Sequence, residues 1–189
     1  MSSATHEAPM HATESPFTPL RKRIFVRATP ERAFRRFTEE MATWWPLGSH
    51  SVGQANSETV VFEGWVGGRI VERIRDGREC VWGTVTAWEP PHRVAFTWHP
   101  GRKAETAQDV EVRFTPEGSG TRAELTHTGF ERLGPSLGRK ARRGYPIGWE
   151  YVLGVYAQRR GPLMLLLGGL TNVMAAVYRM RRTSKRNAE

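Results

Sequence analysis

Between Thr59 and Thr128 the sequence repeats one pattern: a short block rich in β-branched and aromatic residues, closed by turn chemistry. The blocks are Thr59 to Glu63, Arg69 to Arg75, Cys80 to Trp88, Arg93 to His99, Val110 to Thr115 and Thr121 to Thr128. Side chains of this type favour pleated, half-buried backbone. The breaks between them are Gly67-Gly68, Asp76-Gly77, Pro90-Pro91, Pro100-Gly101 and Gly118-Ser119-Gly120, all turn formers. Connections this short allow consecutive strands to run only antiparallel, because a parallel return needs a long crossover. The chain therefore predicts an antiparallel meander, with Asp76-Gly77 as a tight primed hairpin turn having positive φ at both central residues.

The flanks predict helices. Arg23 to Ala28 alternates like a strand, and Thr29-Pro30 then supplies an N-cap and a first-turn proline. Phe34, Phe37, Met41 and Trp44 follow at helical spacing up to Pro46, and Leu47 to Ser57 reads as a loop. After the strands comes a basic linker, then GWEYVLGVYAQR from Gly148 to Arg159, whose Trp149, Val152, Leu153 and Tyr156 share one helical face. An amphipathic helix after a curved antiparallel sheet buries that face by lying across the concave side.

Charge narrows the functional classes. The net charge is +9, but twelve basic residues sit in Arg21 to Arg23, Arg139 to Arg143 and Arg179 to Arg186, and without them the remainder is acidic by three. The body of the domain is not a nucleic-acid platform, and no specific nucleic-acid partner is expected. Cys80 is the only cysteine, which fits a reduced, cytoplasmic setting. Residues 1 to 20 read as a disordered leader, 21 to 160 as the domain, and 161 to 189 as an apolar, then basic tail. Gly161-Pro162 breaks the long helix, and Leu163 to Tyr178 is nearly continuously apolar. Three fates suit that tail: packing on the domain or in a homodimer, contact with a membrane surface, or a span.

The order of strand, short helices, meander and C-terminal helix resembles the helix-grip fold of the SRPBCC (START/Bet v 1-like) superfamily, in its Hsp90-ATPase-activator-like (AHSA1-like) branch. The resemblance rests on RATPERAF (Arg27 to Phe34), VTAWEPPHRVAFTW (Val85 to Trp98), GTRAELTHTGFE (Gly120 to Glu131) and GWEYVLGVY (Gly148 to Tyr156). It implies an α+β helix-grip fold, a curved antiparallel β-sheet wrapped around a long C-terminal α-helix with two short helices after the first strand. It also implies an apolar ligand held between sheet and helix, while chaperone activation is not carried over.

Seven Trp, eight Phe and four Tyr supply walls for such a pocket. The candidates are Trp44, Trp45, Trp65, Phe96, Trp98, Phe130, Trp149 and Tyr156, each of which would serve equally as core. Glu72 shares a strand face with Ile70 and Ile74, and is either an exposed or paired acid or a general acid or base. His127 shares the face of Ala123 and Leu125, as a satisfied core histidine or as a base or ligand anchor. Motifs for metal, phosphate or nucleophilic-serine chemistry are absent, so no metal or cofactor is assigned. Three readings follow: a module binding a hydrophobic or amphipathic small molecule that enters under the Trp44 to Gly53 loop, a cyclase- or hydrolase-like enzyme using Glu72 and His127, and a domain that contacts a chaperone or regulator.

Overall fold

The computed structural model describes residues 17–170. Seven strands form one antiparallel sheet: β1 (Leu20–Val26), β2 (Ser57–Phe62), β3 (Arg69–Ile74), β4 (Glu79–Glu89), β5 (Arg93–Trp98), β6 (Gln108–Glu117) and β7 (Gly120–Thr128). Their order across the sheet is β1-β7-β6-β5-β4-β3-β2. The meander from β2 to β7 is thus a run of neighbours, as the turns predict, and β1 closes the far edge against β7. Between β1 and β2 the chain crosses the sheet through α1 (Pro30–Phe37) and the single-turn α2 (Leu47–His50). The long α3 (Pro135–Tyr156) follows β7. This is the α+β helix-grip architecture.

Three register shifts bend the sheet, at Ser57/Thr59, Ile70/Val71 and Val85/Ala87. Each extra residue raises the local twist, which lets a seven-stranded sheet curl around a helix. The sharpest approach is at Gly83, beside the β4 shift, where a Cβ would collide with the Thr97 carbonyl. There the Thr84 N–H donates to Thr97 Oγ1 at 2.9 Å and the His99 N–H to the Trp82 carbonyl at 2.7 Å.

Several local expectations change. The β3–β4 hairpin exists, but only Gly77 has positive φ, at +87°, so its turn is not the primed type. The Gly77 N–H donates to the Ile74 carbonyl at 2.9 Å, and the Ile74 N–H to the Arg78 carbonyl at 2.9 Å. That is a right-handed turn followed by a glycine bulge, which confines the left-handed position to the residue without a Cβ and spares Asp76. Thr29 caps α1 as predicted, accepting from the Arg32 N–H at 3.4 Å, but α1 stops at Phe37. Thr38 ends it by turning its hydroxyl back onto the Phe34 carbonyl at 2.9 Å. A 3₁₀ turn at Met41–Thr43 follows, and both Trp44 and Trp45 then face inward, which one helical stripe would not permit. The stretch read as a loop from Leu47 to Ser57 holds α2 and a second 3₁₀ turn at Gln54–Asn56.

The largest difference is in α3, which runs for 22 residues and includes the basic stretch from Arg139 to Arg143 read as a linker. Its first half is held by contacts that helical periodicity of apolar residues does not reveal: Arg142 donates to the Thr18 carbonyl at 2.8 Å and lies over the Phe130 ring, and Gly138 packs against the Phe130 backbone. Its second half buries Trp149, Val152, Leu153 and Tyr156 against the sheet. The Tyr156 hydroxyl donates to the Ala33 carbonyl at 2.8 Å, and Lys22 pairs with Glu150 at 2.8 Å, tying α3 to α1 and β1.

At the ends, Leu20 is buried in β1 and Phe17 packs against the core, so the packed residues include these two before Arg21. Gly161, at φ +135°, breaks the chain after α3, and residues 162–170 form a further helix. Its Leu167 is buried and Met164 covers Gly154, while Leu163, Leu165 and Leu166 are exposed. No helix among the described residues is long and apolar enough to cross a membrane. The remainder of the tail, like most of the leader, lies outside the described residues.

The close approach at Gly83 sets a stability test. Gly83→Ala should destabilise by roughly 2 kcal/mol or more, since backbone on two strands must move apart. Gly48→Ala, at a helical position with open space around it, should be neutral or stabilise by up to about 1 kcal/mol. Urea unfolding of the two variants beside the parent chain measures both.

Candidate functional site

The seam between α3 and the concave sheet opens into a groove of about 590 Å³. Three segments form it. The segment before and within α2 supplies Trp45 and His50; the end of β5 and its following loop supply Trp98, Pro100 and Arg102; α3 supplies Leu137, Lys140, Ala141, Gly144, Tyr145, Gly148, Trp149 and Val152. The helix contributes one face at three- and four-residue spacing, with the small residues Ala141, Gly144 and Gly148 among those that line the groove.

Indoles make the wall. The Trp45, Trp98 and Trp149 rings meet pairwise with centroids 5.7 to 6.1 Å apart, and Trp82 backs the first two at 5.3 and 5.6 Å. Trp45 is fixed by donating Nε1–H to the His50 carbonyl at 2.7 Å. Trp98 Nε1 is buried without a well-formed hydrogen bond, and the Tyr145 hydroxyl is its polar neighbour.

Glu72 lies behind this wall, fully buried on β3. Its two oxygens accept from the Val52 N–H at 2.9 Å, the Gly53 N–H at 2.7 Å, Trp82 Nε1–H at 2.8 Å and the Ser57 hydroxyl. A carboxylate offers about four acceptor positions, so donors occupy its full capacity. Gly53 is glycine because a Cβ there would press on Glu72 Oε1 at 2.9 Å. The acid thereby joins three things: the segment that carries Trp45, the β2 edge, and the indole that backs the groove.

His127 is also fully buried, on β7 opposite Leu20 and Val110. Its Nδ1 accepts from Trp149 Nε1–H at 3.1 Å, which places the proton of the neutral ring on Nε2. The ring packs against Phe130 and Tyr145, with centroids at 4.5 and 4.6 Å. Burial, aided by the Arg142 charge, pushes its pKa down to about 3 from an ordinary 6.5. His50, stacked on Tyr151 with centroids 5.2 Å apart, is pushed by burial down to about 4. Both rings are neutral at pH 7.

Of the residues singled out from sequence, the fold brings Trp45, Trp98 and Trp149 together on the groove, where they are also part of the core and only 7%, 4% and 2% exposed. Trp44, Phe96 and Tyr156 are buried in the adjoining core, and Phe130 lies under His127. Trp65 is 56% exposed, in the turn between β2 and β3, and is not part of the groove. Glu72 and His127 touch its wall from behind without lining it. Sequence reasoning missed His50, Arg102, Lys140, Gly144 and Tyr145. The spacing of Leu137, Ala141, Gly144 and Gly148 was the available signal, hidden because small and basic residues do not read as an apolar stripe. A second cleft, about 670 Å³ at the other end of α3, is lined by Arg27, Arg32, Arg36, Arg159 and Arg160 among other residues, of which Arg32 pairs with Glu40 at 2.5 Å, Arg36 donates to the Tyr156 carbonyl at 3.0 Å and Arg159 lies 3.7 Å from Glu150.

Two predictions follow from this geometry. Glu72→Gln places an NH₂ against an N–H or O–H donor and should cost roughly 1–3 kcal/mol in urea unfolding. The second concerns pH. His127 has a depressed pKa in the fold, so the unfolded chain binds the extra proton below about 6.5, and the stability held above that pH drains as pH falls toward 3. Its contribution should be up to about 1.4 kcal/mol per pH unit. Between pH 6.5 and pH 5 the parent chain should lose more stability than His127→Gln, whose amide oxygen still accepts from Trp149. Equal slopes would show that the histidine is not held neutral.

The family model of the Activator of Hsp90 ATPase homologue 1-like proteins matches residues 27–153. No curated protein matches the chain. Among solved structures, an anthrahydroquino-γ-pyrone synthase is 34% identical, with 77% of this chain and 99% of that one covered and a TM-score of 0.53. A protein of Mesorhizobium loti is 20% identical over 74% of this chain and 94% of its own, with a TM-score of 0.56. One from Chromobacterium violaceum is 18% identical over 75% and 96%, with a TM-score of 0.53. The last two share the fold. The match over residues 27–153, from the end of β1 into the last turn of α3, makes this chain a member of the Activator of Hsp90 ATPase homologue 1-like (AHSA1-like) family.

Proposed function

We propose that the chain binds a planar, largely apolar small molecule in the groove between Trp45, Trp98 and Trp149. The observation that carries this reading is the groove itself: about 590 Å³, walled by three indoles that are fixed from behind. Ligand sites of this size are mostly apolar, with a few placed polar groups. Indole faces stack on flat rings at centroid separations of about 4.5–7 Å, and rotamers already fixed by hydrogen bonds to His50 and His127 lower the ordering cost of binding. The 34% identical pyrone synthase, whose name implies a fused-ring product, supports a flat polycyclic ligand.

The same relative favours a second reading, a cyclase-like enzyme. In that case the titratable groups facing substrate are His50, Tyr145, Arg102 and Lys140, with Glu72 and His127 acting through the indoles they hold. Turnover lost in His50→Ala or Tyr145→Phe, with ligand affinity retained, would favour catalysis over simple binding.

Filling the groove tests the binding reading. Gly144 lines it and has open space at its Cβ position, so Gly144→Phe should project a ring into it without a clash. The substitution also removes a helix-interior glycine, so stability should hold or rise by up to about 1 kcal/mol. Titration with the neutral dye Nile red should give saturable emission for the parent chain, weakened at least roughly tenfold by Gly144→Phe. Equal binding by both chains would place the dye elsewhere and refute the assignment.

A further inference from the structure

We propose that the natural occupant of the groove is an anion: an aromatic carboxylic acid whose rings lie against the indoles and whose carboxylate sits at the mouth between Arg102 and Lys140. This deepens the binding reading above and rests on it. The two cations come from opposite walls, Arg102 from the loop after β5 and Lys140 from α3, and both line the groove. Both are exposed, and neither closes an ion pair among the described residues, whereas Arg93, Arg113 and Arg132 on neighbouring strands and turns each have a carboxylate within 3 Å.

No Asp or Glu lines the groove. The sign of its mouth is therefore not offset from within, and like charges on facing walls stand unneutralised until an anion enters. Arg102 is also held in place from its own backbone: its N–H donates to the His99 carbonyl at 2.8 Å, and its carbonyl meets His99 Nδ1 at 3.2 Å. A guanidinium fork and an ammonium on facing walls suit a carboxylate, which accepts from two directions. The same placement gives the basic stretch of α3 a function beyond solvation, through Lys140.

The test compares anthraquinone-2-carboxylate with its neutral counterpart, anthraquinone-2-carboxamide, by quenching of tryptophan emission. The chains are the full-length parent, Arg102→Gln, Lys140→Gln and the double variant. At low salt the acid should bind the parent more tightly than the amide, by roughly fivefold per cation engaged. The double variant should erase that advantage, so that acid and amide bind it with equal affinity, and saturable binding of the amide shows that the groove is still formed. Salt at about 0.5 M should shrink the advantage in the parent, because the mouth is open to solvent. Equal binding of acid and amide by the parent would overturn the charge assignment while leaving the groove as a site for neutral ligands. Failure of both compounds to bind the parent would overturn the groove reading and this inference with it.

Discussion

The site depends on one buried acid. Burying a carboxylate costs several kcal/mol unless donors surround it, and Glu72 is surrounded by four. Each donor comes from a different structural problem. The Val52 and Gly53 N–H groups belong to a segment that makes no strand ladder and needs partners for its backbone. Ser57 opens β2 at a register shift and also meets the Ser51 hydroxyl at 2.6 Å. Trp82 brings an indole N–H that could not be buried unpaired. One side chain answers all of these, and so sets the path of the chain between α1 and β2.

From that anchor the wall of the groove follows in order. The Glu72 carboxylate fixes Trp82; Trp82 packs on Trp45 and Trp98; Trp45 is locked by the His50 carbonyl in α2. From the other side His127 fixes Trp149. The two candidate acid-base residues thus occupy equivalent places, each holding one indole by its N–H. Glu72 is filled with donors and the accepting nitrogen of His127 is taken by Trp149, while His127 Nε2 is buried without a hydrogen-bond partner among the described residues. A rigid aromatic wall is what a flat ligand needs, and rigidity here comes from hydrogen bonds behind Trp45, Trp82 and Trp149 and from the ring packing of Trp82 on Trp98.

Much of the fold was legible because it follows from local chemistry. Glycine and proline punctuation marked the breaks of the meander, Thr29-Pro30 marked the start of α1, and the spacing of Trp149, Val152, Leu153 and Tyr156 marked the buried half of α3. The rest depended on contacts between distant residues. The first half of α3 forms against Thr18 and Phe130, more than a hundred and about a dozen residues away respectively, and its own sequence shows mainly basic and small side chains, with Leu137 and Tyr145 too sparse to read as an apolar stripe. Exposure of Trp65 was hidden for the same reason, since an aromatic in a glycine-rich turn reads identically whether the turn faces core or solvent. Glu72 was placed on the correct strand face, but its partners sit in a loop nearly twenty residues earlier, where no periodicity points. The groove is the space left by these long-range contacts, so its lining could be only partly named.

The central claim is that a ligand enters at Trp45, Trp98 and Trp149, and the indole N–H resonances of the seven tryptophans report it directly. In ¹H–¹⁵N spectra of the parent chain titrated with anthraquinone-2-carboxamide, the Trp45, Trp98 and Trp149 signals should shift together and saturate. Those of Trp65, on the exposed β2–β3 turn, and Trp88, on β4 away from the groove, should stay in place. Saturable shifts confined to Trp65 or Trp88, or none at any indole, would contradict the account.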